Sequence, residues 1–187
     1  MSSLFQANID EHLALFQKLH ELEPSINTAV HLITSCLNAG GKIMLCGNGG
    51  SAADSQHIAA EFTGRFIQDR KPLAAMALST DTSALTCISN DYSFNEVFSR
   101  QVLGLGKSGD CLIVISTSGN SENCVRAVAA AKEMHTIGLL GRDGGKLASL
   151  CDVSIIVPSW TTARIQEAHI MIGHTICGAV EQNLGLV

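Results

Sequence analysis

The chain is poor in aromatics (4%, with one Trp and one Tyr), poor in charge (16%) and nearly without proline, which occurs three times in 187 residues. It has no run of Lys or Arg, and acidic residues outnumber basic ones 17 to 12, for a net charge of −5. That balance argues against a nucleic-acid surface, and no nucleic-acid partner is expected. No apolar run approaches the ~18 residues of a membrane span, and the first residues show no basic stretch followed by an apolar one. The expectation is a cytoplasmic protein with no membrane partner. The seven cysteines (Cys36, Cys46, Cys87, Cys111, Cys124, Cys151, Cys177) include no C-x-x-C pair. An odd, dispersed set in mostly apolar segments reads as core filler in a reducing compartment, not as a disulfide framework.

The hydrophobic fraction is 46%, enough at this length for one domain with a sizeable core over residues 1–187. Phe5, Ile9, Leu13, Phe16 and Leu19 give an amphipathic helix that Pro24 is expected to break. Ser25 is expected to cap a second helix, striped by Ile26, Ala29, Val30, Ile33 and Leu37 and stopped by Gly40-Gly41. These two helices, within residues 1–40, precede any strand and are expected to pack against another subunit. Strands then alternate with helices: Ile43–Cys46, Ala74–Leu78, Leu112–Ile115, Thr136–Leu140 and Val153–Val157. The intervening helices include Ser51 to about Phe66, a two-piece region around Asn90-Asp91, and a closing helix from Thr161 to Leu184. Five alternating strands imply a three-layer α/β/α sandwich with a parallel sheet. In such sheets ligands bind beyond the carboxyl ends of the strands.

Two loops on that rim carry chemistry. Ser116-Thr117-Ser118-Gly119-Asn120-Ser121 follows a buried strand and opens a helix, offering hydroxyls and first-turn N–H donors to an anion such as phosphate. Asn120 or Ser121 can also act simply as the helix cap. Gly47-Asn48-Gly49-Gly50-Ser51-Ala52 satisfies G-x-G-x-x-A. The acidic residue expected ~20 positions later is missing, so a loop that a sugar approaches closely reads better than a dinucleotide site. Ser51 and Asp54 form a capping-box pattern. His57 and Glu61, one helical turn apart, can share a metal, act as an acid/base pair, or form a surface hydrogen bond. Apolar neighbours suggest that this helix is substantially buried. Gln166, Ile170 and His174 share a face of the last helix, but eight residues rise ~12 Å. Gln166 and His174 therefore meet at one metal only with side chains leaning together, or with one supplied by another subunit. Asn90-Asp91 reads adequately as a helix break, and His12, His20, His31 and His135 receive no role.

These stretches resemble the sugar isomerase (SIS) domain family. The match rests on C-G-N-G-G-S-A-A-D (Cys46–Asp54), H-I-A-A-E (His57–Glu61), N-D-Y (Asn90–Tyr92) and F-S-R-Q-V (Phe98–Val102). It continues through S-T-S-G-N-S (Ser116–Ser121) and A-R-I-Q-E-A-H (Ala163–His169) to His174. Within the family the combination of His57, Glu61, Gln166 and His174 is similar to that of the phosphoheptose isomerases. These interconvert sedoheptulose 7-phosphate and glycero-manno-heptose 7-phosphate, supplying heptose for lipopolysaccharide or capsule. The resemblance implies a five-stranded sheet, a homotetramer with sites at subunit interfaces, and zinc held by His57, Glu61, Gln166 and His174. It implies substrate contacts at Asn48, Gly49, Gly50, Glu61, Asn90, Asp91, Ser116, Thr117, Ser118, Ser121 and Gln166. Aldose–ketose isomerisation through an ene-diolate then takes Glu61 as base and His174 as acid. Some members carry Asp where this chain has Ala163. The other reading is a non-catalytic SIS protein that binds phosphosugars, or a replication initiator, for regulation.

Overall fold

A computed structural model describes residues 3–187. Its centre is a five-stranded parallel sheet of order β2-β1-β3-β4-β5. The strands are β1 (Ile43–Gly47), β2 (Ala75–Ala77), β3 (Cys111–Ser116), β4 (His135–Gly141) and β5 (Val153–Val157). β2 is shorter than its apolar run, yet Ile43 N–H bonds to Ala74 O and Leu78 N–H to Leu45 O, so the pairing extends over the expected span. Seven α-helices surround the sheet: α1 (Leu4–Phe16), α2 (Glu23–Asn38), α3 (Gly50–Thr63), α4 (Thr82–Asp91), α5 (Ser99–Leu105), α6 (Glu122–Ala130) and α7 (Thr162–Asn183).

Alternation along the strands divides the core. Ile43, Leu45, Ile113 and Ile115 face α2, α3 and α7, whereas Met44, Cys46, Leu112 and Val114 face α4, α5 and α6. Strand order reverses between β1 and β3, so the loops after these two strands flank the topological switch.

The N-terminal helices depart from expectation in three ways. α1 stops at Phe16, and Leu19–Leu22 forms a 3₁₀ turn. Pro24 lies in the first turn of α2 instead of breaking a helix, because its fixed φ suits that position and its missing N–H has no intrahelical partner there. Ser25 is therefore inside the helix, and no side chain caps α2. Finally, the stripe of α2 is absorbed: Ala29, Val30 and Ile33 are buried against the sheet and α7. Of these two helices, α1 presents a free apolar face, with Leu4, Phe5 (74% exposed) and Leu13 turned outward. Its other face is tied to α7 through Asn8 O, which accepts from Arg164, and through His12 Nδ1, 2.8 Å from Glu167 Oε2.

Candidate active site

The turn from β1 into α3 is built for close backbone approach. A side chain at Gly47 would meet Ser51 O at 2.7 Å and Ile115 O at 2.9 Å. Gly49 holds φ +57°, ψ −121° at the N-cap, a conformation that favours glycine. No side chain caps this helix, so the expected Ser51–Asp54 box does not form. The glycine turn leaves Ser51 buried, while Asp54 Oδ2 is buried with no hydrogen-bond partner. Burial pushes the Asp54 carboxyl above the usual carboxylate range, and nearby His57 partly offsets the shift. Asn48 exchanges two 2.9 Å hydrogen bonds with Asn123 of α6, knitting the two rim loops together. Sequence reasoning missed Asn123, since an Asn in the first turn of a helix reads as ordinary.

The second loop has the form expected of an anion site. Ser121 occupies the N-cap of α6, but its hydroxyl lies 3.2 Å from Ser116 Oγ and does not cap the helix. Asn120 does not cap it either: its amide donates to Ser118 O (2.9 Å) and accepts from Lys146 N–H (3.1 Å). The first-turn donors of α6 are thus left without a side-chain acceptor, at a helix end where an anion is favoured. Gly119, at φ +63°, passes so close to Gly144 O that an added Cβ would lie 1.8 Å from it. Only glycine fits there.

α3 and α7 run side by side from the rim, and their residues meet in matching order. A methyl at Gly50 would lie 2.2 Å from Gln166 Nε2, and one at Gly173 would lie 2.5 Å from Ile58 Cδ1. Between those contacts and the helix ends, His57 Nε2 lies 2.8 Å from His174 Nε2 and 3.2 Å from Glu61 Oε1. The side chains are not deeply buried as the sequence suggested. That of His57 is 49% exposed and that of Glu61 21%, because they point away from the apolar face that α3 packs on the sheet. Gly173 is the second residue missed; a lone glycine beside His174 in an apolar helix was the available signal.

One donor atom each from His57, Glu61 and His174 lies within 4.8 Å of the others. Donors bound to one ion at about 2.0–2.2 Å stand roughly 3.3 Å apart, and two imidazoles with a carboxylate form a donor set suited to a divalent transition metal. The three residues therefore fit a metal ion. Gln166 is not with them: within one chain its amide packs on Gly50, eight residues before His174. Asn90 and Asp91 end α4, exposed, and bond to each other and to Cys87. Along α7 beside His174 runs an open groove of about 550 Å³, lined by Phe66, Ile170, Met171 and Ala179 among others.

Fold and site define a doubly wound α/β protein with an uncapped helix N-terminus and a hydroxyl-rich loop at the switch point, and a metal-competent cluster beside them. Residues 7–141 match the model of the SIS domain. The phosphoheptose isomerase of Helicobacter hepaticus is 52% identical over 187 residues, covering 99% of this chain and 95% of that one. That of Nitratiruptor sp. is 57% identical over 176 residues, covering 92% and 94%. The solved phosphoheptose isomerase of Neisseria gonorrhoeae superposes with a TM-score of 0.90 at 49% identity, covering 95% and 97%. The chain belongs to the SIS domain family and, within it, to the phosphoheptose isomerases.

Proposed function

We infer that the chain converts sedoheptulose 7-phosphate to D-glycero-D-manno-heptose 7-phosphate, an aldose–ketose isomerisation, with Glu61 as base and His174 as acid. The observation that carries this assignment of roles is the meeting of His57, Glu61 and His174 across α3 and α7. Both helices start at the rim where the phosphate loop lies; His57 is seven residues into α3, roughly 10 Å from its start, while Glu61 and His174 lie eleven and twelve residues along their helices, roughly 16–18 Å. A heptose gripped by its phosphate at one end can present its reacting carbons at the other.

Glu61 takes the proton from C1 of the ketose. The C–H electron pair becomes the double bond of the ene-diolate, and Glu61 returns the proton to C2. Because Oε1 faces His57 at 3.2 Å, the second carboxylate oxygen is free for that transfer. His174 passes a proton between O1 and O2. His57, Glu61 and His174 would hold a zinc ion, which when bound would supply Lewis-acid polarisation of the substrate oxygens. Gln166 is the expected fourth ligand, and it reaches that position only from a different rotamer or from a partner chain. Ser116, Thr117, Ser118 and Ser121 hold the phosphate. Asn48, Gly49, Gly50, Gln166, Asn90 and Asp91 contact the sugar.

The partly buried base lies beside the 49% exposed His57, and a partner covering both would exclude water from the site. The apolar face of α1 and the groove along α7 support a homotetramer with sites at its interfaces. The seven free thiols fit a cytoplasmic enzyme. A regulatory protein that only binds phosphosugars would need the loops but not the base and acid, and nothing in the site favours it. Metal-replete Glu61→Gln tests the reading: turnover should fall ~10²–10⁴-fold with fold and phosphate affinity kept. A variant turning over at the wild-type rate would overturn it.

A further inference from the structure

The segment after α3 contains a charge pair that sequence reasoning passes over. Arg70 and Glu181 have side chains 2% and 1% exposed, with Arg70 Nε 2.7 Å from Glu181 Oε1. The same guanidinium donates to four backbone carbonyls. Nη2 bonds Glu61 O at 2.6 Å, and Nη1 bonds Phe62 O and Gly64 O at 2.8 Å and Lys71 O at 3.1 Å. Glu181 Oε1 also accepts from Phe66 N–H at 3.3 Å.

We propose that Arg70 and Glu181 are positioning residues that set Glu61 and His57 against His174. The last carbonyls of α3 have no intrahelical donors. Arg70 satisfies that of Glu61 itself, shares that of Phe62 with Leu73 N–H, and places a positive charge at the negative end of the helix dipole. Its partner Glu181 stands on α7, seven residues and so two turns beyond His174, on the same face. The pair therefore clamps the helix that carries His57 and Glu61 to the helix that carries His174. The contact between Gly173 and Ile58 fixes the same two helices on the other side of the cluster. Cys177 lies between the two, its thiol pushed up to about 12 by burial first, with Glu61 and Glu181 contributing. Five bonds from one rigid planar fork are more than charge neutralisation requires, and lysine cannot reproduce them.

The proposal rests on the reading of Glu61 and His174 as base and acid, and its test separates the two. Either single replacement, Arg70→Met or Glu181→Met, leaves a buried charge unpaired and should depress Tm sharply. The double variant R70M/E181M removes both charges, so its Tm should recover toward wild type, while the carbonyl of Glu61 loses its donor and that of Phe62 keeps only Leu73 N–H. In that variant, affinity for zinc alone, measured on the metal-free protein against a chromophoric chelator, should weaken ~10–100-fold. The kcat should fall over a similar range with KM nearly unchanged, and inorganic phosphate should bind as before. Wild-type zinc affinity and kcat in a folded R70M/E181M would overturn the proposal. If the double variant does not fold, Arg70→Lys decides. It keeps the charge but not the fork, and undiminished zinc affinity and kcat there would overturn the proposal equally. Glu61→Gln run alongside distinguishes the failures: normal turnover in that variant removes the site assignment, whereas lost turnover there with a normal R70M/E181M removes only the clamp.

Discussion

Gly173→Ala should cost far more activity than stability. The new methyl would stand 2.5 Å from Ile58 Cδ1 and 2.9 Å from its Cγ1. Ile58 is itself buried, so its side chain has little room to turn. Overpacking of this kind costs about 1–3 kcal/mol, while replacing a mid-helix glycine by alanine returns about 1 kcal/mol of helix propensity. The net loss is about 0–2 kcal/mol, a shift of a few degrees in Tm for a chain this size. The displacement, however, falls beside His57 and His174, whose ring nitrogens are 2.8 Å apart. A misplacement of about 1 Å at reacting groups can cost 10²-fold in rate. Differential scanning fluorimetry and steady-state kinetics on the same preparation give both numbers. Ile58→Val removes the clashing Cδ1, at about 0.5–1.5 kcal/mol by itself. The double variant I58V/G173A should therefore recover much of the lost kcat. Wild-type kcat in G173A, or no recovery in the double variant, would refute the idea that this contact sets the site.

Ser121→Ala should weaken both substrate and inorganic phosphate about tenfold or more, the ~1.5–3 kcal/mol of a hydrogen bond to a charged group; isothermal titration with phosphate reads it. His169, fully buried with Nε2 2.9 Å from Leu140 O, has its pKa lowered from 6.5 to about 4, chiefly by burial. The folded state thus binds fewer protons than the unfolded state between those values, so stability present above pH 6.5 is lost as pH falls toward 4. The loss amounts to about 3 kcal/mol. Urea titrations at several pH values should show it, and a His169→Gln variant should flatten that dependence. If α1 builds the proposed tetramer, Phe5→Asp with Leu13→Asp should leave a monomeric or dimeric protein of reduced turnover without unfolding the chain, because both residues face outward on α1. A monodisperse tetramer by light scattering would contradict that placement.

All five strands were legible because each is a short, mostly apolar run punctuated by Gly, Ser or Asp, with β1 and β3 buried on both faces. His57 and Glu61 were legible because a helical period brings i and i+4 together whatever the tertiary context. The mutual approach of α3 and α7 was not. It depends on Gly50, Gly173 and the order in which two helices meet, and single-sequence periodicity carries no information about inter-helix register. Arg70 was hidden for a related reason. It lies in a polar loop, and its bonds go to carbonyls, which every residue offers. Pro24 and Ser51 misled because their local signals, break and cap, were each outweighed: the first by its suitability for a helix start, the second by a glycine N-cap. The stripe of α2 was read correctly, and within one chain the sheet and α7 cover Ala29, Val30 and Ile33 of it; periodicity alone does not say which surface covers an apolar face.

Whether Glu61 moves a carbon-bound proton through an ene-diolate is decided by running the reaction on sedoheptulose 7-phosphate in deuterated water, followed by NMR. Wild-type protein should form the aldose, with solvent deuterium appearing at C2 of the product or C1 of the recovered ketose. Metal-replete Glu61→Gln should lose both signals together. Aldose formed at an unchanged rate in the metal-replete variant, or deuterium still entering either sugar there, would contradict that role for Glu61.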